Sequence, residues 1–247
     1  MAEITAVVNQ KGGTGKTTMT MNLGSALASL GKKVMLVDVD SHASLSYSFG
    51  ITDPDGTMAD VFNGSKTLEE IVVEREGMLI APASTDLADI ELFLMDKPGR
   101  ENYLLRHLAA ENELDYIFID SPPTLSLLTI NALKAADQLL VPMQMEVLSL
   151  HGLTSLLATV AEFRRVFRKP LPVKGIVPVM YNSRIKLSQE ILTYIGKNFD
   201  ERIFESKIRH NVRIAESPSF AQSVIHYAPK SNGASDFMNL AREFIKR

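Results

Sequence analysis

The sequence has 247 residues, 45% of them hydrophobic and 22% charged, with a formal net charge of -3; that is enough apolar content for a folded core and too much for intrinsic disorder. No run of about 18 uncharged apolar residues and no basic-then-apolar leader is present, so neither a membrane span nor a secretory signal is expected, and a cytoplasmic location is. The absence of cysteine excludes disulfide scaffolds, thiolate zinc sites, thiol nucleophiles and cysteine-ligated iron-sulfur clusters.

Short apolar runs alternate with amphipathic stretches along the chain. Ile4-Val8 reads as a strand and Lys16-Leu30, closed by Gly31, as a helix. Val34-Val37 and Met78-Ala81 are the next strands, and Thr85-Met95 and Asn102-Ala110 the next helices. Strand Tyr116-Ile119, helix Ser126-Lys134, strand Gln138-Val141, helix Leu150-Arg168 and strand Val173-Val179 follow, with helices Leu187-Asn198 and Ala234-Lys246 at the end. Strands apolar at successive positions are buried on both faces. Strand and helix in alternation imply right-handed crossovers, hence an α/β fold with a mostly parallel, twisted sheet and helices on both faces. No repeat, low-complexity tract or long Pro/Gly/Ser linker divides the chain, so residues 1–247 are expected to form a single domain. With the first strand beginning by Glu3, no N-terminal helix-turn-helix extension is expected.

Between the first strand and first helix lies Asn9-Gln10-Lys11-Gly12-Gly13-Thr14-Gly15-Lys16-Thr17-Thr18. Glycines in this context let backbone N–H groups turn inward around phosphate oxygens, and the helix start adds its positive dipole end. Lys16 is placed to reach β- and γ-phosphates, the Thr17 hydroxyl to ligate Mg²⁺, and Thr18 to help hold the α-phosphate. A general phosphate loop would carry its first glycine at Gln10; here a second lysine, Lys11, precedes Gly12-Gly13. On these residues the chain resembles the deviant Walker A ATPases of the ParA/MinD group, K-G-G-x-G-K-[ST], and more narrowly the ParA/Soj partition ATPases. The resemblance implies a P-loop NTPase fold, ATP/ADP with Mg²⁺, and an ATP-dependent homodimer in which Lys11 crosses to the partner's nucleotide and Gly12 marks the closest approach of the two chains.

The second strand leads into Asp38-Val39-Asp40-Ser41-His42, similar to the family's D-x-D-P-Q. By that likeness Asp40 orients the attacking water near Mg²⁺ and Asp38 supports the loop; Ser41-His42 replace Pro-Gln, and His42 reads as an exposed loop residue. The run Tyr116-Ile117-Phe118-Ile119-Asp120-Ser121-Pro122-Pro123 is an apolar strand ending in one aspartate, so Asp120 is a Mg²⁺ ligand through water. The segment that follows, up to Leu133, is close to the family's P-P-S-L-x-x-L-T-x-N-A-L. Further on, Tyr181-Asn182-Ser183-Arg184 and Ile208-Arg209-His210-Asn211-Val212-Arg213 are similar to family loops that close over adenine, which implies base recognition by Asn182, the backbone at Arg209 and the Asn211 side chain. Arg209-His210 stand where the family often has Pro-Arg.

Charge divides unevenly. Residues 1–159 hold 10 Lys+Arg against 21 Asp+Glu, a net of -11, and residues 160–247 hold 16 against 8, a net of +8. The average therefore conceals a basic half suited to a polyanion. Arg184 and Arg213 resemble family residues that bind DNA, Lys186 lies beside them, and Arg164, Arg165, Arg168, Lys230 and Lys246 extend the stripe. Backbone contacts of this kind give sequence-independent, salt-sensitive binding to duplex DNA. The resemblance thus implies a slow ATPase, stimulated by a ParB-like or cargo-adaptor partner and associated with the nucleoid in its ATP state. An alternative is a MinD-like membrane-associated regulator, for which Phe237, Leu240, Ala241 and Phe244 would form the apolar face of a terminal amphipathic helix.

Overall fold

Seven segments pair into one sheet in the computed structural model, which describes residues 2–109, 111 and 113–247. They are β1 (Glu3–Val7), β2 (Val34–Asp38), β3 (Val73–Arg75), β4 (Met78–Ala81), β5 (Tyr116–Asp120), β6 (Gln138–Gln144) and β7 (Val173–Val179). Their order is β3-β4-β2-β5-β1-β6-β7. All neighbours are parallel except β3 and β4. The longer helices are α1 (Lys16–Ser29), α5 (Leu87–Leu94), α7 (Leu127–Ala135), α8 (Val147–Phe167), α9 (Lys186–Asn198) and α12 (Asn232–Lys246). Shorter ones are α2 (Ser44–Ser48), α3 (Met58–Asn63), α4 (Leu68–Ile71), α6 (Tyr103–Leu108), α10 (Val212–Glu216) and α11 (Val224–Tyr227).

Side-chain alternation along each strand divides the core into two layers. On β5, Ile117 and Ile119 enter one layer with Leu87, Leu104, Leu128 and Leu153, whereas Phe118 enters the other with Leu23, Leu27, Val224 and Phe237. The terminal helix α12 belongs to the second layer: Phe237, Leu240, Ala241 and Phe244 are all buried. Phe244 meets Phe118 at a ring separation of 5.4 Å, Tyr116 edge-on at 5.7 Å and Phe204 stacked at 6.4 Å. The apolar face that a membrane-bound regulator would need is thus spent on the core. Among the described residues no helix is long and apolar enough to cross a membrane.

The expected strand-helix order holds, with elements displaced by a few residues. The expected helix Asn102-Ala110 is observed as α6, and Ala110 lies outside the described residues. Strand β3 is not among the expected strands: it pairs antiparallel with β4 through Glu76 and Gly77, both at positive φ (51° and 72°). Helix α8 starts at Val147 rather than Leu150, and β6 runs on to Gln144.

Candidate active site

Parallel strands deliver their carboxyl ends to one edge, and three of them supply the centre of the site. Asp38 on β2 and Val7 on β1 both pair in register with Asp120 on β5. The loop after β1 returns as α1, whose cap Gly15 sits at φ 80° with no side chain to satisfy the first-turn amides. Those N–H groups have no partner within the helix and are open to an anion. Asn9 fixes the loop from within, donating to Pro142 O at 2.8 Å and accepting from Lys11 N at 3.0 Å. Thr14 Oγ1 adds a bond to Lys11 O. A Cβ built on Gly12 meets nothing within 4 Å in its own chain.

Lys16 is buried beside Asp120 and Asp40; burial lowers its ammonium below its usual range while the two carboxylates oppose the shift. Thr17 Oγ1 donates to Asp120 Oδ2 at 2.6 Å. Burial pushes Asp120 up to about 8, with Asp38 and Asp40 adding and Thr17 and Lys16 opposing. Asp38, pushed up to about 6 chiefly by burial, accepts both Ser46 N at 3.0 Å and Ser46 Oγ at 2.8 Å. It therefore anchors the start of α2 rather than facing the phosphate loop. Asp40 Oδ1 accepts His42 N at 3.0 Å and lies 2.8 Å from His42 Nδ1. Three buried carboxylates against one buried ammonium is a charge balance that suits a divalent cation. The Thr17 hydroxyl, Asp40 and Asp120 are hard oxygen ligands of the kind Mg²⁺ takes. Mg²⁺ is commonly held by one or two carboxylates together with phosphates and water.

Next to Gly15 and Thr18 opens a cleft of about 210 Å³, walled by Met19, Met180, Arg209, Asn211, Ile214 and Phe237 among others. It is continuous with the phosphate loop and of a size for a purine. Asn211 caps α10 through Oδ1, accepting Arg213 N at 2.8 Å, so its amide nitrogen is the group left to read a ligand. Asn182 does not line this cleft; its Oδ1 accepts Arg184 N at 3.0 Å. Arg209 lines it, but its guanidinium is held by Asp236. Buried bonds join α1 to the start of α11: Asn22, which donates to Thr18 O at 2.8 Å, accepts Val224 N at 2.7 Å, and Ser25 Oγ lies 2.8 Å from Ser223 Oγ.

Of the basic candidates, Arg184 is exposed, Lys186 is 3.5 Å from Glu190 and Arg213 is 2.8 Å from Glu216. Such exposed pairs are weak and readily exchanged for phosphate. The bridge between Tyr181 and Arg209 brings the Arg184 and Arg213 loops to the same edge, beyond β7. Arg164 instead donates to Leu171 O, and Arg165 pairs with Glu162. Sequence reasoning missed Glu146, whose carboxylate holds Lys11 Nζ at 3.1 Å with Gln144 Oε1 at 3.3 Å. It also missed Ser46, Asn22 and the contact of His42 with Asp40; of these only His42, two residues after an aspartate, offered a local signal.

A family model described as an AAA domain matches residues 2–173. The chromosome partitioning protein ParA of Caulobacter vibrioides is 37% identical over 252 residues, covering 99% of this chain and 94% of that protein. The sporulation initiation inhibitor protein Soj of Bacillus subtilis is 37% identical over 248 residues, covering 98% of each. Among solved structures, cobyrinic acid a,c-diamide synthase from Mycobacterium smegmatis with bound ADP and magnesium superposes with a TM-score of 0.87 at 32% identity, over 100% of this chain and 95% of that one.

Proposed function

We propose that this chain, which belongs to the ParA/Soj family of P-loop ATPases, is a single-domain switch that dimerises on ATP, binds duplex DNA without sequence preference and partitions DNA or another large cargo. The observation that carries the reading is the meeting of Lys16, Asp40 and Asp120 at the ends of β1, β2 and β5, with a second lysine, Lys11, held at the rim by Glu146. The bound ADP and magnesium of the Mycobacterium structure support the same nucleotide and metal here.

Each residue then has a part. The amides of residues 12–17 and the Lys16 ammonium bind the β- and γ-phosphates and hold their charge. Thr17, Asp40 and Asp120 would hold Mg²⁺, which would supply neutralisation of the phosphate oxygens. Asp40 orients the attacking water, and His42 fixes the orientation of Asp40 from the solvent side. Lys11 leaves Glu146 and crosses to the nucleotide of a second copy. Gly12 supports this crossing, because its lack of a side chain answers no crowding within its own chain. Asn211 and the backbone at Arg209 contact the base, with Asn182 acting only if its loop closes. Arg184, Lys186 and Arg213 contact DNA phosphates, and a ParB-like or cargo-adaptor protein stimulates hydrolysis on the nucleoid in the cytoplasm.

Filter retention or fluorescence anisotropy with random duplex DNA tests the reading. ATP should give binding that ADP does not, falling steeply with salt, and Arg184→Ala with Arg213→Ala should lower the log-log salt slope by about 1 for each DNA phosphate left without its arginine. Binding that ignores the nucleotide or the salt concentration would sink it.

A further inference from the structure

The loop that walls the purine-sized cleft is fixed on two sides by different chemistry. On one side it continues the sheet: Ile208 N donates to Pro178 O and Tyr181 N to Ile208 O, both at 2.9 Å. On the other side a single carboxylate on α12 takes everything Arg209 can donate in that direction. Asp236 Oδ2 accepts the Arg209 backbone N–H at 3.0 Å and Nε at 2.9 Å, and Oδ1 accepts Nη2 at 2.6 Å. Asp236 is 8% exposed at its side chain while Arg209 is 49% exposed. The carboxylate is thus the inner, rigid half of the pair, planted one turn beyond a helix start that packs on the same loop. A Cβ on Gly233 would stand 2.7 Å from Ile214 Cγ1 and 3.4 Å from Asn211 Cγ, so that turn of α12 lies directly against the loop. Phe237, the next residue after Asp236, lines the cleft itself. A proline in place of Arg209 could make none of these three bonds.

We propose that Asp236 is a positioning residue for base recognition: by chelating Arg209 through backbone and guanidinium, it holds the Arg209–Asn211 backbone where its polar groups discriminate a 6-amino from a 6-oxo purine. This rests on the cleft being the base site of the ATPase. The polar groups that can read a base from this wall are the backbone of Arg209–Asn211 and the Asn211 amide, and hydrogen-bond discrimination survives only small displacements of such groups. Asp236 touches no ligand itself, so its removal loosens the reader and leaves the phosphate machinery in place.

The experiment compares ATP and GTP on the full chain, by equilibrium binding and by steady-state hydrolysis, in wild type, Asp236→Ala and Asp236→Asn. Loss of a charged, mostly buried chelate predicts that Asp236→Ala weakens ATP about ten-fold and GTP far less, shrinking the preference by a similar factor. KM should rise while kcat at saturating ATP changes by no more than about two-fold, because the transition-state contacts are elsewhere. Asp236→Asn, which keeps the shape and one oxygen able to accept the Arg209 backbone N–H, should lose less. A folded Asp236→Ala or Asp236→Asn protein with undiminished ATP-over-GTP preference overturns the clamp alone, as does an equal loss for both nucleotides. A wild-type protein that binds neither nucleotide overturns the base-site reading and the clamp with it.

Discussion

Glu146→Gln should make the ATP-bound dimer tighter. Lys11 Nζ sits 3.1 Å from the Glu146 carboxylate, with the two side chains 40% and 57% exposed, and pairs of that exposure contribute about 0.2–1 kcal/mol. In the proposed ATP dimer each protomer must give up one such pair before its lysine can reach across. A dimer therefore forfeits two, about 0.4–2 kcal/mol in all, which corresponds to a dimer Kd tighter by about two- to thirty-fold once the charge is removed. Sedimentation velocity over a protein dilution series with non-hydrolysed ATP gives that constant directly. The gain should shrink as salt rises from about 0.05 to 0.5 M, since screening weakens the competing pair in the wild type first. An unchanged or weaker dimer in Glu146→Gln would refute the reasoning, for it would mean that the carboxylate assists the crossing rather than competing with it.

Three other outcomes are expected. Asp40→Ala should lower ATP turnover about a hundred-fold or more by removing the group that orients water, and retain the protein on DNA in ATP for longer than wild type; normal turnover would remove Asp40 from that role. Phe244→Ala should cost about 3–5 kcal/mol in urea unfolding, because the ring is fully buried against Phe118, Tyr116 and Phe204; a loss below about 1 kcal/mol would contradict that packing. With chelator and no nucleotide, stability should fall as pH rises from about 5 to 8. The folded chain keeps protons on Asp38 and Asp120, raised to about 6 and about 8, that the unfolded chain has already released. Asp120→Asn should flatten the thermal-midpoint slope, and a slope that persists in that variant would assign it to other groups.

Most of the phosphate side is legible because it is written in contiguous residues. Lys11 to Thr18 fall between an apolar strand and a helix, and Asp120 closes a strand whose Ile117, Phe118 and Ile119 already announce burial on both faces. What could not be read depends on contacts remote in sequence. Glu146 meets Lys11 across 135 positions and Asp236 meets Arg209 across 27, with no pattern in either segment to link them. Strand β3 offers one apolar residue in Val73-Glu74-Arg75, and only the turn at Glu76-Gly77 folds it back onto β4. Five-residue helices such as α2 are too short to show a period. Loop likeness assigns Asn182 to the base, yet Asn182 does not line the cleft.

The bonds from Asn22 to Thr18 and Val224, with Ser25 against Ser223, bear on how fast spent nucleotide can leave. The helix that follows the phosphate loop and the start of α11 are stitched together by buried groups, so in the proposed nucleotide site these two elements are expected to move as one. If the cleft holds the base as proposed, ADP leaves past the short turns of residues 209–220, at the pace of their local opening. The dwell time between one round and the next is accordingly a property of those turns, and substitutions there would retune the interval of the cycle while leaving the chemical step alone.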